Sequence, residues 1–204
     1  REVIYKQRAE VLDGKNLKEQ IEGMIEEVIT SSVNSHLVGE HIDIEDDIKE
    51  LLKYLEDICF PHGTFTVDEL ADLSNEEIIS ILVEKARSIY SEREEEFGQE
   101  QMREIERVIL LRVVDQKWMA HIDNMDHLKQ GMGLRAYKQQ DPIQAYQMEG
   151  SAMFEEMIEG IKLETVKFLF HVRVERPVER EKVAEETGAS HGNDKSVKNE
   201  PVKN

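Results

Sequence analysis

Apolar side chains recur along the second half of this chain at steps of three and four. From Val108 the row continues through Leu111, Trp118, Ile122, Met125 and Met132, with Asp115 and Lys129 in its polar slots. That near-heptad spacing predicts a long amphipathic helix. Gly131, Gly133, Asp141 and Pro142 then crowd the segment Leu134, Arg135, Ala136 and Tyr137. Two glycines followed by a proline are hard to hold inside a helix, so the helix is expected to stop there. Pro142 suits the first turn of a new helix with Asp141 as its N-cap, and a second row follows at Phe154, Ile158, Ile161, Thr165 and Phe168. Residues 103–170 therefore read as an antiparallel helical hairpin whose arms, of about thirty residues each, would reach roughly 45 Å.

Shorter patterns precede it. Ile4 and Val11 open a helix that Asp13 and Gly14 interrupt; Asn16 and Glu19 have capping-box spacing for a new one carrying Leu17, Ile21, Met24, Ile25 and Val28 to an end near His36. Residues 37–43 read as a connection. Ile44, Ile48, Leu51, Leu52 and Leu55 form a short amphipathic helix that ends before Pro61, His62 and Gly63. Thr66 with Glu69, and Ser74 with Glu77, are two further capping boxes. The second opens a helix expected to turn Ile78, Ile81, Leu82, Lys85 and Ile89 inward and to end between the acidic run at 92–96 and Gly98. Residues 37–98 thus look like a small helical insert between long-helix segments. From Arg173 the periodicity is lost and 175–204 reads as a disordered tail. The fold class is all-α, a long-helix scaffold with a helical hairpin, an insert and a tail.

Charge narrows the function. The 204 residues carry 44 acidic against 26 basic side chains, a net −18, with 39% hydrophobic residues. This argues against nucleic acid as the main partner and for an elongated or tailed shape. Cys59 is the single cysteine, which fits a reducing cytosol. No apolar run nears the ~20 residues that span a bilayer, and no signal region opens the chain. Starting without Met on a helix under way, the sequence reads as a piece of a longer one.

The densest polar cluster is His121, Asp123, Asp126 and His127. Asp123 and His127 share a helix face, whereas a zinc site would need a third ligand from elsewhere; hydrogen bonding to neighbouring helices is the favoured reading. Asp115 and Lys117 are read the same way. There is no phosphate-binding loop, dinucleotide fingerprint, cysteine cluster or nucleophile elbow, so catalysis by this chain alone is not expected. Met102, Met119, Met125, Met132, Met148, Met153 and Met157 crowd the hairpin; gap filling explains most, with contact to varied clients the alternative for exposed ones. Tyr137, at a glycine-bounded apex, reads as a contact residue.

The run at 113–137, VVDQKWMAHIDNMDHLKQGMGLRAY, followed by Gln140, Asp141, Pro142 and Tyr146, closely resembles the C-terminal region of the SecA family, the motor ATPases of the bacterial preprotein translocase. The likeness is ungapped there and extends more loosely over residues 1–172. It implies a helical scaffold at 1–36 and 99–172, a helical wing domain at 37–98, and a C-terminal linker at 173–204. The hairpin would be the two-helix finger, which regulates ATP hydrolysis. At its tip Leu134, Arg135, Ala136, Tyr137 and Lys138 would meet unfolded preprotein and the SecYEG channel; Trp118, Ile122 and Met125 would pack the scaffold. ATP and magnesium would bind to motor domains of the same chain, upstream and outside these residues. The full-length protein would be cytoplasmic and peripheral on the cytoplasmic face of the cell membrane, touching its anionic surface. Two departures stand out. Gly133 replaces a histidine common in the family, and the Cys/His zinc module that often closes the family is not among these residues, so its functions are not expected here. A passive helical interaction module is the competing reading, which the charges of Asp115 and Lys129 weaken by interrupting a continuous seam. A metal-dependent enzyme at His121 and His127 is a third.

Overall fold

In a computed structural model the described residues are 4, 6, 17–38, 44–135 and 142–173, with backbone alone at 132–135 and 142. Six helices are described: α1 (Leu17–His36), α2 (Ile44–Glu56), α3 (Val67–Leu70), α4 (Asn75–Phe97), α5 (Gln99–Arg135) and α6 (Pro142–His171). No strand occurs among the described residues, and the fold is all-α. The interruption at Gly14, whether kink or break, the Asn16 cap and the tail from 174 onward lie outside the described residues.

α1 is the hub. Its Ile21, Ile25, Val28, Ile29 and Val33 are buried, at a helical repeat wide enough to face several partners, and it packs against α2, α4, α5 and α6. Ser32 is buried among them because its hydroxyl donates back to the Val28 carbonyl at 2.7 Å. α2 sets Ile48, Leu51, Leu52 and Leu55 against it. After Glu56 the chain turns, and that carboxylate accepts the Gly63 N–H at 2.7 Å and faces His62 Nδ1 at 2.6 Å, holding the Pro61 to Gly63 corner together.

Both capping boxes form. The Thr66 N–H donates to Glu69 at 2.7 Å, and the Ser74 N–H to Glu77 at 2.9 Å, while the Glu77 N–H reaches Ser74 Oγ at 3.3 Å. These bonds lower the pKa of both carboxyls. Each satisfies backbone donors that a helix start leaves over.

The insert does not close a core of its own. Ile48, Leu55, Cys59, Leu70, Ile78, Leu82 and Tyr90 share one cluster with Ile25 and Val33 of α1, and with Met102, Val166, Leu169 and Phe170 at the hairpin base. A second cluster joins Ile4, Leu17, Leu110, Val113, Val114, Met157 and Ile161. The residues Arg1–Val172 form one compact unit, and Arg173–Asn204 a separate one in which only Arg173 is described.

Three expectations are corrected. α5 does not stop at Gly131 or Gly133 but continues to Arg135. A glycine in a helix costs only about 1 kcal/mol, less than the gain of extending an established helix through it, and a Cβ at Gly131 would meet nothing within 4 Å. α5 also begins earlier, at Gln99, so its 37 residues span about 55 Å rather than 45 Å. The inward faces are shifted as well. On α4 the buried row is Ile78, Leu82, Val83, Ala86, Tyr90 and Glu94, leaving Ile81 and Lys85 exposed. On α5 it is Met102, Glu106, Leu110, Val113, Val114 and His121, so that Val108 (55% accessible) and Ile122 (37%) face outward. On α6 Val166, Leu169 and Phe170 are buried in place of Phe168. Each helix carries more apolar positions than one partner can cover, and the packing of α1 and α6 selects among them.

Candidate functional site

The hairpin is held together by a seam in which glycines on α6 receive long side chains from α5. Lys117 lies across Gly160, with Cε and Nζ 3.5 Å from where a Cβ would stand, and its ammonium pairs with Glu164. Further out, Met125 Cε comes within 3.1 Å of the Cβ position of Gly150. Between these two points His121 sits stacked on Trp118, centroids 5.7 Å apart, and meets Phe154 in a T-shaped contact with centroids 5.8 Å apart. Burial pushes the His121 pKa down, which favours the neutral ring. Lys117, Ala120, His121, Asn124, Met153 and Glu156 line a shallow groove along this seam.

Trp118 is half-buried against the second cluster, and Met125 is half-buried on Gly150. Beyond His121 on α5, and before Met157 on α6, no described side chain is buried. The outer part of the hairpin is thus a bare pair of helices. Leu134 and Arg135 belong to the last turn of α5, their side chains undescribed, and Ala136, Tyr137 and Lys138 lie outside the described residues. Of the polar cluster, His121 turns into the seam while Asp123, Asp126 and His127 are exposed, so the structure does not bring the four together. Among the described residues no group of three or more His, Cys, Asp or Glu is placed to hold a metal ion. Met102 and Met157 are buried, whereas Met119 and Met148 are exposed.

Sequence reasoning missed a polar network at the hairpin base. The Tyr90 hydroxyl donates to Glu106, and Arg103 Nη2 donates to Glu106 at 2.8 Å, to Glu94 at 2.7 Å and to the Tyr90 oxygen at 3.2 Å. Lys18 of α1 reaches the other oxygen of Glu94 at 2.6 Å. Glu106 is fully buried, which raises its pKa against the pull of Tyr90 and Arg103, and its Oε2 has no protein partner. The signal was present: Glu94 continues the register of Ile78, Leu82, Ala86 and Tyr90, and Glu106 that of Met102 and Leu110.

Chemically, the described residues offer stacking, ion pairs and an inert thiol, Cys59, whose pKa burial pushes up to about 12. No described helix is long and apolar enough to cross a membrane.

Residues 1–173 match the family described as the SecA wing and scaffold domain. The whole chain is also similar to proteins called protein translocase subunit SecA: 64% identical over 206 residues to that of Clostridium perfringens (strain SM101 / Type A), 60% over 205 to that of Clostridium acetobutylicum, and 59% over 203 to that of Clostridium botulinum (strain Okra / Type B1). In each case all of this chain is covered and 24% of the relative, so the chain spans about a quarter of the length of these relatives.

Proposed function

The chain belongs to the SecA wing and scaffold family, and from that premise we propose that it serves protein translocation as the scaffold, wing and two-helix finger of a translocase subunit. The observation that carries this reading is the bare outer hairpin: two helices of 37 and 30 residues, seamed by Lys117, His121 and Met125, with no buried side chain among the described residues beyond His121 on α5 or before Met157 on α6. Such an element transmits a displacement at its base to its tip.

In this reading Leu134, Arg135, Ala136, Tyr137 and Lys138 form the contact end. They combine fixed and flexible cations with an amphipathic ring, and meet unfolded preprotein at the SecYEG channel. ATP and magnesium belong to motor domains of the full-length subunit, which works in the cytoplasm and on the cytoplasmic face of the membrane. Contact with anionic lipid falls to other parts of that subunit, since this chain carries a net −18. Val108, Met119 and Ile122, exposed along one side of α5, would pack against the motor domains.

The test is Tyr137→Ala in the complete subunit, read as preprotein transport into membrane vesicles. Reduced transport with unchanged helical content supports the finger; unchanged transport contradicts it. The same exposed row on α5 favours, as second reading, a passive interaction module. A tight dimer of the isolated chain in sedimentation, abolished by Met119→Glu, would support that module instead.

A further inference from the structure

α4 and α5 are separated by a single residue. Gly98 has φ 83° and ψ 149°, a backbone region open almost only to glycine, and a Cβ there would meet nothing within 4 Å, so conformation and not space demands the glycine. Its N–H closes α4 on the Glu94 carbonyl at 2.9 Å, and its carbonyl accepts the Met102 N–H of α5 at 2.9 Å. A 23-residue helix and a 37-residue helix therefore meet at a one-residue corner. Left to itself, such a corner is a hinge.

We propose that Lys18, Tyr90, Glu94, Arg103 and Glu106 form a latch that fixes the angle between α4 and α5 across Gly98 and so aims the hairpin. The bonds from Tyr90 to Glu106, from Arg103 to Glu94 and from Arg103 to Tyr90 cross the corner, Lys18 ties Glu94 to α1, and the bond from Arg103 to Glu106 stays within α5. Tyr90 and Glu94 lie before Gly98, Arg103 and Glu106 after it, and Lys18 anchors Glu94 from the hub helix. Arg103 is the centre, since its one Nη2 joins Tyr90, Glu94 and Glu106. Buried charges are a poor route to stability, because apolar residues of the same volume often serve as well. What hydrogen bonds add is direction: apolar faces tolerate sliding, whereas a guanidinium shared by two carboxylates does not. The fully buried Glu106, with one oxygen unpartnered, marks a site where packing economy has been given up for that geometry. Calling the hairpin a finger rests on the proposed function; the latch does not.

The experiment is a distance measurement between spin labels at Lys85→Cys on α4 and Gln116→Cys on α5, both exposed positions, in the full chain. Cys59 is buried and its thiol deprotonates only near pH 12, so it stays unlabelled. A variant carrying Tyr90→Phe, Glu94→Leu, Arg103→Met and Glu106→Leu replaces the network by apolar volume. Its expected signature is a melting temperature near the native one together with a distance distribution broadened about twofold, as for a released hinge. Tyr90→Phe alone, which removes one hydroxyl, is expected to broaden the distribution to a lesser degree and decides the matter should the multiple variant fail to fold. Native-width distributions in the folded variants would overturn the latch. Because no transport is measured, this outcome is independent of whether Tyr137 proves to contact a preprotein.

Discussion

Lys117 on α5 and Gly160 on α6 are shaped to each other: the lysine stem crosses the helix where a side chain is missing, and its ammonium continues to Glu164 one turn on. The arms can approach at this point because nothing stands between the stem and the backbone. A Cβ at 160 would sit 3.5 Å from Cε and Nζ, an ordinary contact. Gly160→Ala is therefore expected to be tolerated and to stabilise by up to about 1 kcal/mol through helix propensity. Gly160→Leu would displace the lysine and lower the melting temperature. Calorimetry of the two variants checks the pair, and a loss with alanine as large as with leucine would mean that the seam has no room at all.

Glu106 gives the chain an unusual pH dependence. Its folded pKa lies above the usual 4.5, with burial as the largest cause, so the folded state holds this proton more tightly than the unfolded chain. The stability associated with it is complete below about 4.5 and is lost as the pH rises through the folded value. Glu56 has the opposite sign. The Gly63 N–H, with His62, lowers its pKa, so its contribution is present above the usual value and lost on acidification. Urea unfolding of native protein and Glu106→Gln at pH 4.5 and 7.5 separates them, since the glutamine variant should gain on the native protein as the pH rises. Parallel pH profiles would contradict the assignment.

The two faces of α4 differ in a way that the sequence pattern alone did not resolve. Ile81 and Leu82 are adjacent and similar, yet Leu82 is fully buried and Ile81 is 38% accessible. Leu82→Ala is expected to cost about 2–5 kcal/mol and Ile81→Ala less than about 1 kcal/mol. Equal losses in urea melts would contradict this difference in burial, and a larger loss at Ile81 would place the helix the other way round.

That pair also shows how far the sequence can be read. Helices with strong local signals were legible: Ser74 and Glu77 start α4, Gly98 ends it, and Pro142 opens α6. Rotations of helices were not. Val108, Ile81 and Phe168 are apolar residues at correct spacing that face outward, because spacing fixes a stripe only when a helix has a single one, and these have two. The helix through Gly131 and Gly133 was missed for a related reason, since two modest propensity penalties do not outweigh the extension of a long helix. Of the candidate site, His121 and Trp118 were legible as residues but not as a stack. The network about Arg103 was hidden because charged side chains in a buried row look like solvent-facing ones until their partners, 76 residues apart for Lys18 and Glu94, are brought together.

The account turns on the hairpin's end meeting a moving polypeptide. A photo-crosslinker placed at position 137 of the complete subunit, with a preprotein arrested midway through transport, tests this directly, with the same probe at Lys85 on the exposed side of α4 as control. The account predicts an adduct with the arrested chain from position 137 and none from position 85. Adducts from neither position, or from 85 alone, would contradict it.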